Sequence, residues 1–123
     1  MVLTFLRLAT AALILASSSG VVAGEFVKSP EGRPKAVVEL FTSQGCSFCP
    51  PADALLADLA QSDDVVALAY HVDYWDYLGW RDTMASPENT ARQQEYSRAF
   101  GSRSVYTPQM VVNGRQQMNG AKR

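Results

Sequence analysis

The sequence predicts an α/β sandwich whose sheet is at least partly parallel, and three observations predict it. Short Val-rich apolar runs occupy residues 36–41, 65–70 and 110–112, each too brief for a helix. The runs are continuous rather than alternating, the pattern of strands buried on both faces. Segments with helix-start signals lie between them, and strands alternating with helices give layered α/β architectures. The 123 residues suffice for one small domain, and 47% hydrophobic content places the chain among globular sequences rather than disordered ones.

Taken in order, residues 1–23 carry one positive charge, Arg7, then an apolar run over 8–16 and small residues, with Val21-Val22-Ala23 as an acceptable cleavage site. That is the layout of a secretory signal peptide, and the run is short for a bilayer span. An uncleaved anchor is the alternative, and no cysteine near residue 23 suggests a lipoprotein. The expected location is secreted or periplasmic, where paired cysteines can remain oxidised. Losing Arg7 takes the 11 Lys and Arg to 10, against 12 Asp and Glu, a net charge of −2. No basic face for nucleic acid and no polybasic stretch for a membrane surface stands out. Residues 24–35, polar with two prolines, read as a flexible lead-in, and 36–123 as the domain.

The first helix is expected from Pro50 and Pro51, where a missing N–H costs nothing, with Asp53 at the positive dipole end. Ala52, Leu55, Leu56 and Leu59 give it one apolar face, and residues 61–64 break the pattern. A second helix begins at Ser86-Pro87-Glu88, an N-cap followed by proline, runs to about Phe100 and stops at Gly101. Glu88 and Arg92, four apart, are expected to pair on its exposed side. Asn113-Gly114 signals a tight hairpin into a short final strand. Asn119-Gly120 then reads as the opening of another helix just before the last residue, Arg123. On this count the fold is C-terminally truncated, and Val and Met side chains on an uncovered part of the sheet are expected in water unless a partner or a second copy of the chain covers that face.

Cys46-Ser47-Phe48-Cys49 follows the first strand and enters the first helix. Two cysteines three apart at a helix start lie within disulfide range. Unpaired helix N–H groups and the dipole favour the thiolate at Cys46, making it the nucleophile, with Cys49 resolving the mixed disulfide. An inert disulfide clip and a metal site are the alternatives. A four-ligand zinc site lacks donors, since the chain holds two cysteines and one histidine. A soft ion such as Cu(I), held by Cys46, Cys49 and His71, is the remaining metal reading.

Thr107-Pro108, at the mouth of the third strand, is a candidate cis bond that would abut the cysteines and offer backbone groups to a substrate chain; a trans proline opening an edge strand is the alternative. Glu39, an acid inside an apolar strand, either shuttles a proton to Cys49 from a buried position or faces solvent at a sheet edge. Residues 71–80, HVDYWDYLGW, hold both tryptophans and the single histidine. Trp75 and Trp80 are candidates for lining a polypeptide groove, although most of the cluster suits packing of a long loop. His71 suits a hydrogen-bonded structural role.

VELFTSQGCSFCPPAD, HVDYWDYLGW and VYTPQMVVNG together resemble a bacterial family of exported thioredoxin-like proteins known only as a domain of unknown function. The resemblance spans about residues 35–120. It implies a thioredoxin-like three-layer sandwich with a CxxC motif and a proline loop opposite it. Cys46 and Cys49 match the motif cysteines and Pro108 the cis-proline. Glu39 falls near the buried acid of thioredoxins but one residue further from the first cysteine, no tryptophan precedes Cys46, and Phe48 is bulky inside the motif. Relatives continue well past residue 123. The function expected is thiol–disulfide exchange with a protein partner in the cell envelope, with no organic cofactor, because the dithiol carries its own two electrons.

Overall fold

The first apolar run forms β1 (Ala36–Thr42), and its buried Val38, Leu40 and Phe41 make it the centre of the domain. The computed structural model describes residues 32–122; the signal peptide expected over 1–23, and most of the lead-in, lie outside the described residues. After β1 come α1 (Pro50–Leu59), β2 (Val65–His71), a single 3₁₀ turn (Asp76–Leu78), α2 (Pro87–Ala99), β3 (Gln109–Val112) and β4 (Gln116–Asn119). This is the order the sequence predicts. The strands form one mixed sheet in the order β2-β1-β3-β4. β1 runs parallel to β2 (Thr42 opposite His71) and antiparallel to β3 (Phe41 opposite Gln109), and β3 pairs antiparallel with β4.

Alternation along β1 divides the interior in two. Val38 and Leu40 face α1 and pack with Ala52, Leu56 and Met110. Phe41 lies on the other face with Val72 and Val111, against Tyr70, Tyr74, Trp75, Tyr96 and Phe100. Burying a side chain such as Leu40 contributes roughly 1.5–3 kcal/mol, so the aliphatic layer under α1 is a strong anchor for the start of that helix.

α2 is different, because Gln93 is its buried residue. Its start is set by Ser86, whose Oγ accepts the Asn89 N–H at 3.2 Å, and by Pro87. Gly101, at φ +66°, supplies the left-handed residue just past its end. Gln93 Oε1 accepts the Tyr74 hydroxyl at 2.9 Å, while its Nε2 donates to Tyr106 O at 2.7 Å and Gln109 Oε1 at 2.9 Å. Gln109 in turn donates to Gln117. A polar ladder therefore joins α2 to β3 and β4, every member satisfied by the next.

Three expectations are corrected. β2 is an edge strand whose apolar run is not covered on both faces: Val66 and Leu68 are more than a third exposed. Arg92 does not pair with Glu88; it crosses to Glu39 on β1, with Nη2 2.5 Å from Oε1. A carboxylate buried on a neighbouring strand offers a less hydrated partner than one on the same exposed helix surface. Of the two placements open for Glu39, the buried one holds: it lies on a central strand. Asn119 closes β4 rather than opening a helix with Gly120: its Oδ1 accepts the Ala121 N–H at 2.9 Å in a turn. Met118 on β4 is exposed as well.

Candidate active site

The Cys46–Cys49 pair sits where β1 hands over to α1. The Cys46 N–H donates to Ser43 O and the Cys49 N–H to Cys46 O, folding the segment into a tight turn. The two cysteines are disulfide-bonded with Cα atoms 5.4 Å apart. Both are buried, at 3% and 0% exposure, while Phe48 between them stands 77% exposed. Thr42 Oγ1 donates to Asp53 Oδ1 at 2.6 Å, tying the strand end to the helix start.

The helix start differs from the expected bed of unpaired N–H groups. Pro50 and Pro51 remove two donors, and the Ala52 and Asp53 N–H groups both go to Cys49 O. The amides of Ser47 and Phe48 meet no acceptor among the described residues.

The Thr107–Pro108 bond is cis, as its position suggests, and Pro108 is fully buried. Continuing the β1–β3 register one step past Phe41 and Gln109 sets Pro108 beside Thr42, at the strand end that leads to Cys46. Trp75 connects the two segments. Its Nε1 donates to Thr107 Oγ1 at 2.8 Å, and its Cβ lies 3.1 Å from where a Cβ on Gly45 would stand. A side chain at position 45 would press on Trp75, which would have to give by a few tenths of an ångström. The structure brings Cys46, Cys49, Trp75, Thr107 and Pro108 into one neighbourhood.

Asp82, which the sequence reading missed, bolts the long loop to this turn. Its Oδ2 accepts the Gln44 N–H at 2.9 Å and lies 2.5 Å from His71 Nδ1, while Oδ1 accepts the Met84 N–H. Burial alone would raise the Asp82 pKa, but the hydrogen bonds from Gln44, His71 and Met84 outweigh it and hold the carboxyl below its usual range. Nothing in the residue types around position 82 marks it as buried; only the path of the loop does. Trp80 Nε1 donates to Gln44 Oε1 at 2.9 Å, leaving the indole 63% exposed beside the turn. HVDYWDYLGW therefore splits: Val72, Tyr74 and Trp75 pack inward, while Tyr77, Leu78 and Trp80 project outward.

Glu39 is placed away from this chemistry. Alternation puts its side chain on the α2 face, opposite α1, where Arg92 Nε donates to Oε1 at 2.7 Å and the Tyr96 hydroxyl to Oε2. The Arg92 guanidinium stacks over the Tyr70 and Tyr96 rings, and its hydrogen bond to Glu39 raises its pKa further. A carboxylate held by two donors across the sheet is built for structure rather than for proton transfer to Cys49.

His71 faces Asp82 rather than the cysteines, and among the described residues no cluster of three or more His, Cys, Asp or Glu side chains is placed to hold a metal ion. Two concave surfaces lie elsewhere, one of about 330 Å³ along Ser97, Arg98 and residues 102–105, the other of about 270 Å³ beside Arg92 and Tyr96. Neither includes a residue of the cysteine turn. No helix among the described residues is long and apolar enough to cross a membrane.

Comparison with known proteins adds three findings. Residues 37–123 match the model of a family described as a protein of unknown function, DUF1223. A crystal structure of a protein from Agrobacterium tumefaciens, determined by a structural genomics consortium, is 59% identical with a TM-score of 0.70; the match covers 74% of this chain and 41% of that one. The chain thus spans less than half the length of that protein. No curated protein matches.

Proposed function

The chain belongs to the DUF1223 family, and from that premise we propose that it is a thioredoxin-like thiol–disulfide oxidoreductase of the cell envelope, exported by its leader and acting on a protein partner. The observation that carries this reading is the placement of the Cys46–Cys49 disulfide between a central strand and a proline-started helix, with the cis Thr107–Pro108 loop alongside and Trp75 joining them.

In the exchange, a partner thiolate attacks Cys46 Sγ; the S–S bond breaks and Cys49 leaves as a thiolate that takes up a proton. A second partner thiol, once deprotonated, attacks the partner sulfur of the mixed disulfide and releases Cys46, which is protonated in turn. The partner ends oxidised by two electrons and the chain reduced by two; a second protein disulfide restores it, and the sequence runs backwards when the potentials favour it. The 47–48 amides and the helix dipole stabilise the Cys46 thiolate, while Thr107 and Pro108 hold the partner chain and Trp75 the geometry. No organic cofactor is needed.

Burial of both cysteines is the one observation that favours an inert clip. Magnitude argues the other way. A disulfide spanning four residues restricts the unfolded chain by only about 2 kcal/mol, against roughly 4.7 for a 100-residue loop, so as a staple this is a weak placement.

The reduction potential, measured by equilibration with glutathione, tests the reading. A value between about −270 and −120 mV places the pair with redox-active dithiols, and one below about −300 mV with structural disulfides. In the reduced protein Cys46 should alkylate first, with a pKa below about 8.5. Cys46→Ser should abolish exchange, and Cys49→Ser should accumulate mixed disulfides.

A further inference from the structure

Charge is unevenly placed along the chain. All 12 Asp and Glu precede Tyr96, and Arg98, Arg103, Arg115, Lys122 and Arg123 follow it. The larger of the two concave surfaces, about 330 Å³, lies in this acid-free stretch, where α2 gives way to the loop before β3. Ser97, Arg98, Ser102, Arg103 and Ser104 line it, and no carboxylate among the described residues does. Glu95, the last acid in the sequence, lines the other cavity. α2 starts beside His71, at the sheet end that carries the cysteine turn, so Ser97 and Arg98 lie roughly 15 Å further along the helix. The cavity is separate from the dithiol.

We propose that this cavity binds a phosphate-type oxyanion carried on a small organic group, that is, a phosphate monoester. Local bonding leaves its donors unspent. The carbonyls that an arginine in the last helical turn would serve are taken, because the Phe100, Gly101 and Ser102 N–H groups donate to Tyr96 O, Arg98 O and Ser97 O. Arg98 and Arg103 form no ion pair among the described residues. Ser97 Oγ fixes the loop, donating to Ser102 O at 3.1 Å and to Ser104 O at 3.4 Å. Ser102 Oγ accepts the Gln117 Nε2–H at 3.3 Å, so its own O–H is left to donate. The N–H groups of residues 103–105 also meet no acceptor among the described residues. An anion here meets two guanidinium forks and a hydroxyl, with no acid lining the cavity to compete. A carboxylate has two oxygens, which one fork satisfies; a tetrahedral oxyanion has enough for both arginines and the hydroxyl. Volume sets the carrier. Water occupies about 30 Å³, so a cavity of about 330 Å³ holds the oxyanion with room for the organic group beside it.

The test is isothermal titration calorimetry of the full chain with glycerol 3-phosphate, with acetate and glycerol as the carboxylate and uncharged controls. Glycerol 3-phosphate should bind at least about tenfold more tightly than acetate, and Arg98→Gln/Arg103→Gln should weaken it at least about tenfold. Glycerol should not bind. Arg103→Gln alone, in the loop outside α2, is the second variant if the double one does not fold. Ester affinity that is unchanged in these variants, equal to that of acetate, or absent at millimolar concentration overturns the site. Cosedimentation with vesicles of phosphatidic acid, against vesicles of phosphatidylcholine, then identifies the source. Phosphatidic acid binding that exceeds the affinity for the soluble ester and is lost in the arginine variants supports the site with a lipid headgroup as its ligand. Ester binding without vesicle binding supports it with a soluble phosphate ester.

Discussion

The two faces of the sheet are held by different physics. Under α1 the contacts are aliphatic: Val38, Leu40, Ala52, Leu56 and Met110 fill one layer. Under α2 the layer is aromatic and hydrogen-bonded, with Gln93 at the centre of a ladder and Glu39 clamped by Arg92 and Tyr96. The difference teaches where tolerance lies. Apolar packing degrades by degrees as atoms are removed, whereas a satisfied polar network fails when one member leaves its partners buried and unbonded. The disulfide is attached to the aliphatic face, through the start of α1. The proline loop is attached to the polar one, because Gln93 holds Tyr106 O and Gln109 on either side of Thr107 and Pro108.

The largest effect should come from the aliphatic face. Leu40→Ala should cost about 2–5 kcal/mol in denaturant unfolding; a loss under 1 kcal/mol would mean that α1 is held by something other than this layer. Next, Gln93→Leu should cost about 1–3 kcal/mol, because similar volume is kept while the Tyr74 hydroxyl, Tyr106 O and Gln109 lose a partner. A neutral Gln93→Leu breaks the comparison outright, since α2 would then rest on its rings alone. The smallest effect is alkaline. Burial pushes Tyr74 up to about 12, partly offset by hydrogen bonds with Gln93 and Thr107. Burial and the Glu39 carboxylate push Tyr96 to about 12. Both phenols are raised above their unfolded value of about 10, so their stabilisation is complete below pH 10 and drains away as pH climbs from about 10 to about 12. Unfolding midpoints at pH 9 and 11 measure this, and solvent screening of two half-buried groups keeps it modest. An unchanged midpoint refutes the polar account of that face.

The elements were legible in the sequence because each rests on local chemistry: Pro50-Pro51 and Ser86-Pro87 start the helices, Gly101 ends the second, and Asn113-Gly114 turns the hairpin. The cysteine turn and the Thr107–Pro108 loop were legible for the same reason. What stayed hidden depends on strand order. Knowing that β2 is an edge strand requires knowing that β3 takes the other side of β1. Arg92 finds Glu39, not Glu88, because the sheet brings residues 53 positions apart into contact. Asp82 gives no local signal, since its burial is decided by the path of the loop from His71 back to Gln44. The split within HVDYWDYLGW, inward before residue 76 and outward after it, falls at the 3₁₀ turn Asp76–Leu78, which Gly79 ends in the left-handed region at φ +90°.

The hairpin turn has a further consequence for how the domain breathes. Asn113 N–H donates to Val37 O and Asn113 Oδ1 accepts the Val37 N–H, both at 2.8 Å, so the tip of the β3–β4 hairpin is buttoned to the central strand by a turn residue. If the hairpin lifts, the Val37 and Asn113 amides lose their protection together. Hydrogen exchange at these two positions therefore reports opening of the hairpin as one cooperative unit. Amides 47 and 48 in the cysteine turn, which carry no such button, report separately. The molecule thus contains its own pair of clocks: one times the scaffold that carries Pro108, the other the turn that carries the sulfurs.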